Sequence, residues 1–443
     1  MNIKDKVSVF FKKTYSENYD ELEILIEQNN SVLARFADND IIQSVNQEKT
    51  EVRFRIIKGG KNGIASTNDL SESGLLTCFN KAISVIKFMP TDRNLLSLYE
   101  DNRGKSIDIE KVFKLSHEER AMSIKKALNY IKSKNMKSAG VDTEVYQSLT
   151  LLNSKGLEKE AFVYAANFSV SITEPSKGWA QEITSDANKI NHLEIAKKAV
   201  EIATQNKDAV SVEAKEYDVV LSPDAASDLF SFLAWYGFNG KDFCDKTGPF
   251  DKLNEKVLGE NITITDEPLS DLKKGYFFDR EGVDKKDLTL IENGVLKNIA
   301  LDRFYAKKLG IKSTGHGLTQ PNNFGAFPLN MVVKGGDSSK EEMIKSTKYG
   351  LYVNRFHYTN IINPKEMTFT GMTRDGLFLI ENGKITKAVK NLRFTDSIIR
   401  LLNNVEALSK DTYIANEFFD PEFSVILPYM KIKGFRFSSV TEF

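Results

Sequence analysis

Four histidines are the first residues to test for chemistry: His117, His192, His316 and His357. No two of them lie three or four positions apart, so no helical turn can offer a pair to one metal ion. His117 is followed by Glu118, as in a zinc-binding helix, but Ala121 and Met122 stand where the second ligand belongs. His117 therefore reads as helix surface. The two cysteines, Cys78 and Cys244, are too few for a disulfide framework or a cysteine-rich zinc module. Gly59-Gly60-Lys61-Asn62-Gly63 has the composition of a phosphate loop, but no Gly-Lys-Ser/Thr entering a helix, and reads as a hairpin turn. There is no Gly-x-Ser-x-Gly elbow, and Ser313 near His316 has no acidic orienter assignable from the sequence, so no nucleophilic triad is built.

What remains is a set of polar clusters at 313–317, 355–360, 371–376 and 390–394. Their side chains bind carboxylates, amides or backbone groups. They serve either as hydrogen-bond networks that tie loops together or as one cleft gripping a peptide-like ligand. In the second case His316 is the candidate acid–base, Arg374 the clamp on a substrate carboxylate, and Asp375 their neighbour. Arg355, His357, Tyr358 and Arg374 are the candidate substrate contacts. Asp279, Arg303 and Asn391 are expected to fix loops.

These side chains need a scaffold, and composition bounds it. The chain has 443 residues, 61 Lys+Arg against 61 Asp+Glu, and 41% hydrophobic residues, enough for a packed core. The zero formal charge argues against a nucleic-acid sleeve or a polybasic membrane binder. No apolar run approaches the roughly 18–20 residues that span a bilayer; the nearest, 161–172, is broken by Asn167. The first residues lack a signal-peptide core, and a cytoplasmic protein is expected.

Hydrophobic periodicity supplies the elements. Val7, Phe10, Phe11 and Tyr15 predict a first helix. Alternation over 21–26 and 31–36, around Asn29-Asn30, predicts a hairpin, and a second pair follows at 50–57 and 64–67. Helices are predicted from Ser71 to about Ile86, from Ser116 to about Lys132, and over 191–204, with a hairpin of 146–152 and 161–172 between the last two. The polar stretch 205–208 marks a boundary, giving domains 1–208 and 209–443. The second half opens with a strand at 217–221 and a helix capped by Ser222 with Pro223 at its first position. Leu-Ile-Glu-Asn-Gly occurs twice, at 290–294 and 379–383, and predicts two equivalent turns in one large antiparallel sheet, barrel-like. A short helix is predicted over 302–308, ended by Gly310. Helices and antiparallel pairs without a regular strand–helix rhythm indicate an α+β fold.

The runs Phe278-Asp279-Arg280-Glu281-Gly282-Val283, Leu290 to Leu296, Leu301-Asp302-Arg303-Phe304-Tyr305-Ala306 and Ser313-Thr314-Gly315 resemble the TldD/PmbA family. So do Gly350-Leu351-Tyr352-Val353 and Gly376-Leu377-Phe378 with the turn that follows. The resemblance spans about residues 217–410. It implies an α+β N-terminal domain, a β-rich C-terminal domain, dimers, and a cytoplasmic metallopeptidase acting on small or unfolded peptides. It also implies, for the metal-bearing subunit, a His-Glu-x-x-x-His helix after the strand ending at Leu221, with a later cysteine. This chain departs there. Between Glu216 and Glu255 there is no histidine and no glutamate, and no cysteine follows Cys244. The helix offers Asp224, Ser227 and Asp228, oxygen ligands that suit calcium or magnesium better than zinc, or simply a solvated face.

The chain therefore looks like the TldE/PmbA side of the family, with no cofactor of its own and zinc only through a TldD-type partner. Expected partners are a second copy or that metal-bearing subunit, and a peptide, with no nucleic acid and no membrane. The alternatives are an autonomous metal-independent hydrolase using His316 and Arg374, and a homodimeric peptide-binding scaffold without turnover.

Overall fold

β-branched and aromatic residues alternate along much of the N-terminal half, and they form long strands that share one sheet. A computed structural model describes residues 3–13, 19–101, 105–106, 115–416 and 419–441. The elements of this half are α1 (Ile3–Lys13), β1 (Glu21–Ala37), β2 (Asp40–Lys58), β3 (Lys61–Thr67), α2 (Glu72–Ile86), β4 (Lys105–Ser106), α3 (His117–Ser133), β5 (Lys137–Asn153), β6 (Glu158–Glu174), β7 (Gly178–Thr184) and α4 (His192–Gln205). The strand order is β3-β2-β1-β5-β6-β4, with β7 beside β6. The helices expected from Ser71 and Ser116 begin there, and the structure shows each residue as a cap: Ser71 accepts from the Gly74 N–H, and Ser116 forms a reciprocal cap with Glu119. Val7 and Phe10 of α1 pack into the core, and the expected helix residue Tyr15 lies outside the described residues.

The turn expected at Asn29-Asn30 is corrected by the structure. β1 runs straight through it, with Asn29 opposite Lys49 and Gln147, and Asn30 opposite Glu48 and Tyr146. The chain reverses at Asp38-Asn39 instead, both at positive φ. A strand between two partners has its backbone groups saturated on both edges, which outweighs the local turn preference of asparagine. The glycine-rich segment is a hairpin turn: Gly59 and Gly60 have positive φ and Lys58 pairs with Lys61.

The second half comprises β8 (Glu216–Leu221), α5 (Pro223–Phe232), extended by a π turn (Leu233–Gly237), α6 (Gly240–Asp245), β9 (Ile264–Asp266), β10 (Leu288–Glu292), β11 (Val295–Leu296), α7 (Arg303–Leu309), β12 (Asn330–Val333), α8 (Lys340–Lys345), β13 (Tyr349–Asn363), β14 (Thr368–Glu381), β15 (Lys384–Ala388), β16 (Leu392–Ser397), α9 (Ile398–Asn403), β17 (Val405–Ala415) and β18 (Ser424–Val440). The fold is α+β, as expected, but the large sheet is mixed and as a whole is not a closed barrel: β8 pairs with both β13 and β18, so that part curls back on itself, while β12, β9, β10 and β11 run off β18 as an open extension. β8 pairs parallel to β13, and β12 parallel to β18. Strands so distant in sequence have room for the long crossover that a parallel pair requires, and no local pattern records that choice. The two Asn-Gly turns are equivalent: Asn293 and Asn382 have φ near 50°, Gly294 and Gly383 near 80°, and both hairpins belong to this sheet.

The two sheets are joined by buried charge. Lys159 of β6 donates to the Gly282 carbonyl (2.8 Å) and pairs with Asp284 (2.7 Å) and Asp101 (2.9 Å). Arg280 bridges Glu27 of β1 to Glu422, holding the latter through two bonds of 2.6 and 2.9 Å. Among the described residues, no helix is long and apolar enough to cross a membrane.

Candidate functional site

α5 starts where β8 ends because Ser222 caps it, accepting from the Ala225 N–H at 3.1 Å, and Pro223 supplies a helical φ. Ala225, Ala226, Leu229, Phe230 and Leu233 bury one side of it in the C-terminal core. Another stripe, at Asp228, Ser231, Phe232 and Trp235, follows helical spacing and lines a cavity of about 420 Å3. At the helix start, Asp224 accepts from Gln181 Nε2 of β7 at 2.7 Å, and the same amide reaches the Asn416 carbonyl at 3.2 Å. Enclosure pushes the Asp224 carboxyl up to about 6, against the pull of Gln181 and Arg355.

This helix does not fit a zinc ion. Ser227 donates to the Asp224 carbonyl at 2.8 Å, within its own helix, and Asp224 is engaged by Gln181. Among the described residues, no three His, Cys, Asp or Glu side chains come together in a way that could hold a metal ion.

A second group of side chains sits on the β13–β14 ladder, whose register shifts between Val353 and Arg355 and again between His357 and Asn360. Bulges of this kind re-aim side chains. Asp375 (φ 52°) and Tyr358 (φ 54°) hold left-handed backbone that ordinary residues rarely adopt, a form of strain frequent at functional sites. Arg355 grips Asp375 through Nε (3.1 Å) and Nη2, and its guanidinium lies 4.4 Å from the centre of the Trp179 ring on β7. Arg374 lies 3.6 Å from Asp375 and touches His357 Nε2. Partial burial, then the charges of Arg374 and Arg355, push the His357 imidazole below its ordinary value. The exposed Tyr358 ring stands edge-on to His357 at 4.7 Å. Arg355, His357, Tyr358, Arg374 and Asp375 are thus brought together, with Asn354 donating to both the Trp179 and Asp375 carbonyls at 3.1 Å.

His316 is not part of that group. It is 2% exposed, with Nδ1 2.9 Å from Thr314 Oγ1 and Nε2 3.0 Å from Asp266, which also accepts from the Asn330 N–H. Burial would raise the Asp266 carboxyl, but His316 and the Asn330 N–H hold it below its usual range. Both ring nitrogens of His316 are engaged within the core, so the side chain has no atom to offer a substrate beside Arg374.

The loop residues act as expected. Asp279 accepts from the N–H groups of Glu281, Val283 and Gly317 at 2.7–2.9 Å. Arg303 donates to the Ser97 carbonyl, and Asn391 anchors Thr441 through its carbonyl. Sequence reasoning missed Trp179, Gln181, Arg280, Asn416 and Trp235. One signal was available: the chain has only two tryptophans, and both lie here.

Comparison with known proteins places this geometry in context. The family model described as the PmbA/TldA metallopeptidase C-terminal domain matches residues 214–439, and the model for domain 1 of the same metallopeptidases matches residues 22–86. A metalloprotease of Methanocaldococcus jannaschii is 23% identical over 89% of this chain and 90% of its own. A zinc metalloprotease TldD homolog of Saccharolobus solfataricus is 28% identical, but the match spans only 51% of this chain and about half (52%) of that protein. The crystal structure of TldE from Thermococcus kodakarensis shares the fold, with a TM-score of 0.86 at 22% identity, covering 99% of this chain and 100% of that one.

Proposed function

Because the chain belongs to the PmbA/TldA metallopeptidase family, we propose that it is a non-catalytic subunit of a cytoplasmic, metallopeptidase-type dimer and lends peptide-gripping groups to a chamber it shares with a metal-bearing partner. The observation that carries this reading is α5: the helix keeps its cap, its position after β8 and its packing, yet offers Asp224, Ser227 and Asp228 and no histidine or glutamate. The gripping groups are Arg355, His357, Tyr358 and Arg374. Arg374 is exposed and its guanidinium suits a carboxylate or a backbone carbonyl. We place the division between the two domains at residues 208 and 209, since β1–β7 build one sheet and β8–β18 the other.

The test is a peptidase assay on unfolded peptides with zinc, first with the purified chain and then with a TldD-type subunit added. Cleavage is expected only in the second arm, together with a heavier complex by mass photometry. Strong zinc-dependent cleavage by the chain alone would end this reading. An autonomous hydrolase through His316 and Arg374 has no support in the geometry, because His316 is held by Asp266 and Thr314.

A further inference from the structure

The cavity along α5 has no role in the peptide-gripping cluster, and its walls differ from it in kind. Phe232, Trp235, Leu318, Phe327, Leu329 and Phe423 supply its apolar lining. None of the six is fully buried, and Trp235 is 53% exposed, with its ring 5.9 Å from that of Phe327. The protein thus leaves aromatic surface in contact with water along a concave wall. A volume of about 420 Å3 lies within the roughly 300–1,000 Å3 of pockets that enclose small ligands.

Carboxylates outnumber cations around the cavity. Asp228, Asp420 and Glu422 contribute carboxylates to its lining. The lining cation, Arg280, is engaged by Glu27 and Glu422. The ammonium of Lys273, 1% exposed, donates to the carbonyls of Asp420 (3.2 Å) and Phe423 (2.8 Å), which fixes that wall in place. Thr359 and Asn416 also line the cavity; the Asn416 amide is spent on the wall itself, donating to the Phe423 carbonyl (2.7 Å) and accepting from the Val425 N–H (3.1 Å).

We infer that this cavity is a side-chain pocket for a large apolar residue, aromatic above all, at the amino end of a peptide, with the peptide's α-ammonium directed to the Asp228–Asp420 side. The inference rests on the peptide-binding reading above and names the ligand class that reading lacks. Two features select this occupant. Aromatic walls gain most from an aromatic ring, which buries about 150–250 Å2 and packs edge-on or offset against other rings. Surplus carboxylate favours a cation next to that ring and disfavours an acidic one. Phe232 of α5 and Trp235 of the π turn that extends it supply the aromatic wall, and Asp228 one turn earlier supplies the carboxylate beside it.

The test is calorimetric titration of the full chain, alone and with its TldD-type partner, with three hexapeptides: Phe-Ala-Ala-Ser-Ala-Ala, its N-acetylated form, and Ser-Ala-Ala-Ser-Ala-Ala. The Phe-first peptide is expected to bind about tenfold or more tightly than the Ser-first one, a difference of the size one buried aromatic side chain supplies. Acetylation is expected to weaken it about fivefold. Ser231→Trp, which fills the cavity from α5, is expected to bring the Phe-first peptide down to the Ser-first level, while Met122→Trp, at an exposed site on α3 away from the cavity, leaves it unchanged. Equal binding of Phe-first and Ser-first peptides overturns the pocket and leaves the subunit reading standing. No binding of any peptide, even with the partner present, overturns both. If Ser231→Trp halves the mass of a dimer, the cavity is a subunit interface and the pocket is likewise overturned.

Discussion

Arg120 and Arg355 both pair with an aspartate, but their surroundings set them opposite tasks. Arg120 is 1% exposed and lies between Asp142 and Glu144 of β5, where Tyr164 Oη donates to Glu144 at 2.8 Å and His192 Nε2 lies 2.5 Å from Asp142. Its partners are all interior groups of the N-terminal half. Arg355 meets Asp375 beside Arg374 and His357, which reach solvent. Identical chemistry thus holds the fold where water is excluded and remains open to a ligand where it is not. Burial, more than residue type, separates charge locked into the fold from charge that stays accessible.

The comparison can be broken at several points. The largest effect is expected from Arg120→Met, which leaves Asp142 and Glu144 buried without their countercharge. A loss of about 3–5 kcal/mol is expected in chemical denaturation, and a loss under about 1 kcal/mol would show that the interior network is dispensable. His316→Leu comes next. It strips the buried Asp266 of its partner and is expected to cost about 2–3 kcal/mol, with peptide binding by the folded fraction unchanged. A selective loss of binding would return His316 to the ligand site.

Asp224→Asn is expected to show a smaller effect that depends on pH. A carboxyl held at about 6 in the fold, against roughly 3.9 in the unfolded chain, keeps its proton longer when folded. Native stability therefore falls as pH rises from about 4 to about 6, and the deficit persists above that. The asparagine removes it, so the variant should gain about 1–2 kcal/mol over the parent at pH 7.5 and almost nothing at pH 4. Melting curves at the two pH values decide this, and an equal shift at both would exclude titration of Asp224 as the cause. The smallest stability effect is expected from Arg374→Ala, within about 0.5 kcal/mol because the side chain is exposed, together with about a tenfold loss of affinity for peptides. If folding suffers and binding does not, Arg374 belongs with Arg120 and the contrast collapses.

Much of the fold was legible because its signals are local. The helices expected to begin near Ser71, Ser116 and Asp302, and the one expected to be capped by Ser222, are each capped by those residues, and both Asn-Gly turns adopt the backbone their residues favour. The failure at Asn29-Asn30 has a definite cause. A turn signal was present, but β2 and β5 flank those residues in unbroken register, and the equally suited Asp38-Asn39 stands where that register ends. The candidate site was legible as a set of residues on β13 and β14, while its partners on β7 were not. Trp179 and Gln181 reach it only because β7 lies against the C-terminal sheet.

By itself, the order of residues decided whatever depends on neighbours within a turn or two: caps, reversals, the alternation of strands, and the lack of histidine and glutamate on the helix after β8. Tertiary structure alone decided which polar groups meet. It shut His316 against Asp266, joined Arg280 to Glu27 across 253 positions, and set Phe232 and Trp235 along a cavity. The physical reason is range. Backbone preferences act through bonded and near-bonded contacts, whereas burial and charge pairing act through space and exist only once distant segments have packed.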